Sequence, residues 1–472
     1  MDKHTLFMIL VTGAGAIGSL AWGPYIGLFV YFAYSVLRPQ SLWEYALPRE
    51  FQWSLYVAVG AILAAAVYRF KLIGYPTAGP TRGATVPPWN VVHWLMLAFA
   101  AWMTVSYLRA ENQTRAWITY DIYLKTTLIF VVASLSVYRL GQFWPLLAAL
   151  AVMDVYVAYE ANYVYFAWRQ NSIQMYGFGG LDNNGAALML AMALPLCYFL
   201  WEGTKGWWRW GYLLATPVLA HAVQLTFSRG AMVSAILTLP AVFVFSRHKR
   251  ALVVLAVLGG GFVLATSGKE LRERFLSLNK TEMDDSATMR KQAWTAAVEI
   301  ANEHPFFGVG QRCSAPHMEK HGASAGMTIH SQYLQLAADT GWVGSAIYTA
   351  LYVSAVWLGF RVWWKIRKWP DYPEVRRARA LAAGITSSLV LYGIGAVFLS
   401  LDTFELPYVL FLLVAQLWNC YKGGGIQASV YANGSALPLP PGPLVAPRPR
   451  RPVAAIVPPR AAVVPLTPAG PA

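Results

Sequence analysis

RKQAWTAAVEIANEHPFFGVG, residues 290–310, and IHSQYLQLAADTGWVG, residues 329–344, sit in a chain otherwise dominated by apolar runs. The polar segment that holds them extends from Ser267 to Gly341, about 75 residues. On either side, runs such as 91–107, 142–159, 184–200, 343–364 and 380–399 reach or approach the length of a membrane-crossing helix, roughly 17–25 residues. We read about twelve or thirteen such segments, the first two (5–20 and 24–37) being a hairpin or one broken crossing at Trp22-Gly23-Pro24. The pattern predicts an all-α polytopic membrane protein with one long polar insertion. Composition agrees: 57% of residues are hydrophobic and 12% charged, with mean hydropathy +0.42. A soluble chain carries about twice that charged fraction.

The formal net charge of +15 is explained by topology rather than by nucleic-acid binding. Basic residues crowd the loops on one side: Arg69 and Lys71, Arg139, Lys205 and Arg209, Arg247 to Arg250, and the run from Arg361 to Arg379. Lys and Arg favour the cytoplasmic side. The expected orientation therefore puts the insertion in the periplasm and the C-terminus in the cytoplasm of a bacterial inner-membrane protein. The N-terminus lacks a basic region followed by a small-residue cleavage site, so the first run should stay as an anchor. The chain divides into N-terminal transmembrane helices (1–170), a transmembrane core (171–266), the insertion (267–342), C-terminal transmembrane helices (343–422) and a Pro-rich tail (423–472) expected to be disordered. Cys197, Cys313 and Cys420 form neither a zinc spacing nor a disulfide framework. No internal repeat is visible.

One motif misleads. Gly13-Ala14-Gly15-Ala16-Ile17-Gly18 matches the dinucleotide fingerprint GxGxxG. The fingerprint needs a preceding strand and an acidic residue about 20 positions on. Here both flanks are membrane-like, so the glycines are read as small residues that let helices approach.

Four polar places fall on the insertion side. Gly177 to Gly185 should form a loop in which Asp182 or Asn183 caps a helix. Ser228-Arg229-Gly230 joins two apolar runs, holding Arg229 near the interface. It reads either as a snorkelling anchor or as an anion site, because a cation at a helix start is disfavoured by the dipole unless an anion offsets it. Arg290, Trp294 and Ala297 share a helical face; Arg290 could equally be a surface charge. His330 is placed at a helix start, which favours a neutral imidazole able to accept a proton. His304, His317 and His321 are not distinguished from it by spacing.

Together these pieces resemble the bacterial O-antigen ligase / O-antigen polymerase superfamily. The resemblance rests on Ser228-Arg229-Gly230, Arg290-x-x-x-Trp294, His304-Pro305-Phe306-Phe307-Gly308-Val309-Gly310, and His330-Ser331-x-x-Leu334-Gln335 through Gly341-Trp342-Val343-Gly344. Tyr34 to Gln40 also resembles the exosortase-associated putative O-glycosylation ligase subgroup. The resemblance implies a GT-C-like helical fold and a metal-independent, cofactor-free, inverting glycosyltransferase. Its donor would be a polyprenyl-diphosphate-linked glycan, and its acceptor a hydroxyl of lipid A-core, glycan or protein. It further implies that Arg229 and Arg290 bind the diphosphate and that His330 is the catalytic base. Ser228, Gln335, Asp182 and Asn183 are read beside them as candidate supporting residues, which the resemblance itself does not assign. Polymerase and protein O-oligosaccharyltransferase activities are the alternatives within that class. A transporter is the alternative outside it, with Asp154, His93 and His221 as its intramembrane candidates.

Overall fold

The structure, a computed structural model, describes residues 2–48, 50–70, 88–266, 285–324, 326–401 and 404–432. Among these residues there are seventeen α-helices and no strand. The first half of the chain contributes α1 (Lys3–Trp22), α2 (Tyr25–Leu37), the short α3 (Pro39–Leu42), α4 (Trp53–Arg69), α5 (Val91–Leu108), α6 (Gln113–Ser136), α7 (Leu140–Trp168) and the short α8 (Ser172–Tyr176). The second half contributes α9 (Asn183–Gly203), α10 (Arg209–Leu225), α11 (Arg229–Phe245), α12 (Lys249–Thr266), α13 (Asp285–Glu303), α14 (Gln332–Ile366), α15 (Pro373–Gly395), α16 (Leu406–Lys422) and α17 (Gly425–Ala432). Eight of these helices (α1, α5, α6, α7, α9, α12, α14 and α15) are long and apolar enough to cross a membrane, and α2, α4 and α11 are shorter apolar helices. This is an all-α polytopic membrane protein. Each apolar run read from the sequence lies in a helix, and the first two are separate helices packed as a hairpin.

The centre of the bundle is the pair α9 and α15, almost wholly buried. Lipid gives helices little hydrophobic reason to associate, so close contact between small residues has to hold them. Gly384 packs on Phe199, and a Cβ on Gly395 would lie 2.4 Å from Leu188. The Ser388 hydroxyl donates to the Met192 carbonyl across the same interface. The GxGxxG stretch behaves likewise. Gly15 is buried in α1 against Val30 and Val57, and Ala16 meets Gly60 of α4.

The helices alternate in direction, so their connections gather at two ends. One end collects residues 38–52, 109–112, 169–182, 226–228, 304–331 and 396–405; we call it the insertion end. Hydrogen bonds stitch it together: Asn171 to the Leu225 carbonyl at 2.8 Å, and the Gln332 amide to the Ala396 carbonyl at 2.8 Å. The other end is tied by Arg247 and Arg379 to Asp371, each at 2.7 Å.

α14 is broken at Gly341, whose φ of 75° and ψ of 170° are non-helical. The part before the break belongs to the polar region, and the part after it is apolar. The turn that follows α13, Pro305 to Gly310, plugs this break. The Trp342 amide donates to the Pro305 carbonyl, and the amides of Val309 and Gly310 donate to the carbonyls of Ala338 and Asp339. Contributions from α5 complete it. The Ser106 hydroxyl donates to the carbonyls of Phe307 and Asp339, and the Trp102 indole to that of Thr340. Gly308 and Gly341 both sit at positive φ, and a Cβ on either would lie within 2.3 Å of backbone across the contact.

α13 ends at Glu303, ahead of Pro305. Its inner face (Ala293, Ala296, Ala297 and Ile300) builds a small core with Val309, Met318, Ile329 and Ala116 of α6, separate from the main one. The reading of residues 423–472 as a disordered tail is corrected at its start. Residues 425–432 form α17, with Ile426 and Val430 fully buried in the main core. Residues 433–472 and 267–284 lie outside the described residues.

Candidate functional site

The turn before α9 depends on three glycines at positive φ, Gly177, Gly179 and Gly180, closed by paired backbone bonds between Phe178 and Leu181. Asp182 is the N-cap of α9, accepting from the Gly185 amide at 2.7 Å. Asn183 does not cap; its side-chain amide reaches the Thr226 carbonyl at 3.0 Å. Asn184 accepts the Ser228 hydroxyl at 2.8 Å. The α9 entrance is thereby joined to the α10–α11 turn.

That turn differs from the tight Ser-Arg-Gly turn expected. The bend falls one residue earlier, at Phe227, with φ 57°. Ser228 is the N-cap of α11 and Arg229 is already helical, half-buried in its first turn. A Cβ on Gly230 would lie 3.5 Å from Phe398, and Phe398 packs against Trp294 with ring centroids 6.4 Å apart. The α11 start and the Arg290 helix are thus brought to the same aromatic side chain. Arg290 is half-buried, one turn before Trp294.

His330 also differs from its expected setting. α14 starts at Gln332 with Ser331 as N-cap, so His330 precedes the helix, in the left-handed region at φ 53°. The helix dipole therefore acts on it less than a first-turn position would imply. Its proton affinity is nonetheless depressed: burial is the first cause and the Arg290 guanidinium the second, with Asp182 opposing them. The same influences show that His330, Arg290 and Asp182 share one neighbourhood. A non-glycine residue held at positive φ is a local strain of the kind that clusters at functional sites.

Gln335 is a structural residue. Its amide donates to Asp339 at 2.8 Å and to Ser314 at 3.1 Å, binding α14 to the insertion loop. Gln332 does similar work, accepting the Leu401 amide at 2.6 Å. His317 pairs with Glu111, and the nearly buried His321 side chain pairs with the exposed Glu299. The intramembrane histidines are struts: His93 with Asn90 at 3.1 Å, and His221 with Asn162 at 2.5 Å. Asp154 is fully buried in α7. Among the described residues no group of three or more His, Cys, Asp or Glu side chains is placed to hold a metal ion.

The sequence gives no site role to Arg38, and Glu405 enters only through the loop Asp402–Glu405, expected to bear on sugar specificity. Arg38 leaves α2 in a left-handed conformation, and its guanidinium donates to the Gly179 carbonyl, pinning the glycine turn. A Cβ on Gly179 would collide with the Arg38 side chain. Burial depresses the Arg38 pKa and raises that of Glu405, and each charge opposes the other's shift. Both line a cavity of about 250 Å³ with Tyr31, Tyr34 and Gln40. The signal was available only as an arginine closing an apolar run before Pro39.

The bundle brings His330, Arg290 and the capped glycine turn into one neighbourhood at its insertion end. Residues 214–349 match the family model described as O-Antigen ligase, which supports a relation of this segment to the O-antigen ligase superfamily, of ligase or polymerase type. The matched residues contain Arg229, Arg290 and His330. None of the curated proteins matches the chain.

Proposed function

We propose that the chain transfers a glycan from a polyprenyl-diphosphate-linked donor to an acceptor hydroxyl at the periplasmic face of the bacterial inner membrane. The observation that carries this reading is a half-buried histidine whose proton affinity is depressed by burial and by Arg290, near Asp182, whose helix entrance is tied through Asn184 to Ser228 beside Arg229. The donor already contains an activated anomeric carbon. The acceptor oxygen attacks that carbon as the bond to the diphosphate oxygen breaks, inverting the centre. The acceptor proton passes to His330, and the bonding electron pair leaves with the diphosphate. General-base assistance of this kind contributes roughly 10²–10⁴-fold. Arg229 and Arg290 bind the departing diphosphate through forked, permanently charged donors. In a water-poor pocket such stabilisation exceeds its value in water. Asp182, Asn184 and Ser228 fix the geometry between the α9 entrance and Arg229, and Arg38 fixes the glycine turn behind them.

The test is transfer by purified full-length protein from a lipid-linked donor. His330→Ala should lower turnover by about 10²-fold or more while leaving membrane insertion intact; near-normal turnover would remove His330 from the chemistry. Arg229→Lys and Arg290→Lys should each lose activity, because lysine keeps the charge without the fork. Full activity with lysine at both positions would assign the arginines to anchoring. A product ladder of growing repeats would mark a polymerase, and a single addition to the acceptor a ligase.

A further inference from the structure

At the end of the bundle opposite the insertion, the α9–α10, α11–α12 and α14–α15 connections enclose a cavity of about 430 Å³. Its wall carries five cationic side chains, Lys205, Arg209, Arg247, Arg376 and Arg379, against two carboxylates, Glu202 and Asp371. Glu202 is already committed. It accepts from the Ser246 hydroxyl at 2.8 Å and from the backbone amides of Arg247 and His248 at 3.0 and 3.2 Å, at the start of α12. Asp371 meets three guanidiniums at once: Arg247 and Arg379 at 2.7 Å and Arg376 at 3.2 Å. Burial pushes its carboxyl up, but the three cations hold it below the usual range. One carboxylate cannot neutralise three guanidiniums, so positive charge remains in excess. Arg379 is 4% exposed, and its buried Nε–H has no hydrogen-bond partner among the described residues. An unmatched donor on a buried cation is costly, and an acceptor supplied from the cavity removes that cost.

The surroundings set the depth of this cavity. Trp207, Trp208 and Trp210 are exposed beside it. Arg209 lies over the rings of Trp201 and Trp210 at 5.1 and 4.9 Å. Exposed indoles at the ends of crossing helices mark the headgroup level, and basic pockets between crossing helices suit phosphate headgroups. We propose that this cavity binds a phosphate-bearing anion, whose source is either an anionic lipid headgroup or free inorganic phosphate. Arg379 and Arg376 supply fixed donors from α15, and Lys205, Arg209 and Arg247 close the site from the neighbouring connections. The site is independent of the transfer reaction at the other end.

The experiment follows thermal unfolding of delipidated, full-length protein in detergent as phosphatidylglycerol, phosphatidylcholine or sodium phosphate is added. Stabilisation by phosphatidylglycerol but not by phosphatidylcholine identifies a lipid source; stabilisation by sodium phosphate alone identifies the free ion. Lys205→Gln/Arg247→Gln should weaken the effective anion about tenfold or more, the scale of a lost charge-assisted contact. Both side chains are substituted without emptying the core, since the Arg247–Asp371 pair is half-exposed and such pairs contribute little to folding. Arg250→Gln/Lys368→Gln removes the same charge at the same end but outside the cavity, and should leave binding unchanged. Failure of both anions to stabilise the protein overturns the proposal. So does equal weakening in the two double variants, which would show only a general surface potential.

Discussion

His330 shows how one side chain's surroundings tune its chemistry. Its neutral form is the one that accepts a proton, and burial together with Arg290 depresses its pKa below the ordinary histidine value. Activity should therefore persist through the usual histidine range and fall only as pH drops through the lowered pKa. Arg290→Gln removes one depressing influence, so the acid limb of kcat/KM for its residual activity should move to higher pH. Asp182→Asn removes the opposing influence and should move the limb lower. Rates between about pH 5 and 8 read both shifts; a limb fixed in both variants would assign the titration to another group. The sequence alone left His330 level with His304, His317 and His321, and only the resemblance to a family separated them. Arg38 stayed hidden because its partner Gly179 is 141 positions away. A buried arginine is recognisable as such only when its surroundings are folded.

The helices themselves were legible, because each apolar run exceeds what a loop can hold and lipid forces the backbone to satisfy itself. The break in α14 was not. Gly341-Trp342-Val343-Gly344 reads as the start of a crossing helix, and nothing local says that Gly341 turns at positive φ. The reason lies in Pro305 to Gly310, which fills the gap. Gly341→Ala should destabilise the protein by about 1–3 kcal/mol from backbone strain alone, with more from the Cβ placed 2.2 Å from the Phe306 carbonyl oxygen. Gly259→Ala in α12, where a Cβ meets nothing within 4 Å, serves as the comparison and should be neutral or slightly stabilising. Thermal unfolding in detergent of the two variants checks this; equal behaviour would mean that the plug does not hold the break.

At the scale of the molecule, the distribution of lysine and arginine supports the proposed orientation, with the insertion outside the cytoplasm. The native cysteines are all buried, so single reporters can be added without removing them. Lys320→Cys should react with a membrane-impermeant maleimide on intact cells, and Lys368→Cys only after the membrane is opened. The reverse pattern would invert the topology and move the proposed chemistry to the cytoplasm. The plug at Gly341 has one more consequence, for how the protein is made. The carbonyls of residues 307, 339 and 340 end on Ser106 and Trp102, which precede the family-matched segment by more than a hundred positions. During synthesis α5 is therefore in place before the residues it must receive have left the ribosome. A fragment trimmed to 214–349 would emerge with those acceptors unmet, so the unmatched N-terminal part of the chain acts as the mould in which the matched segment sets.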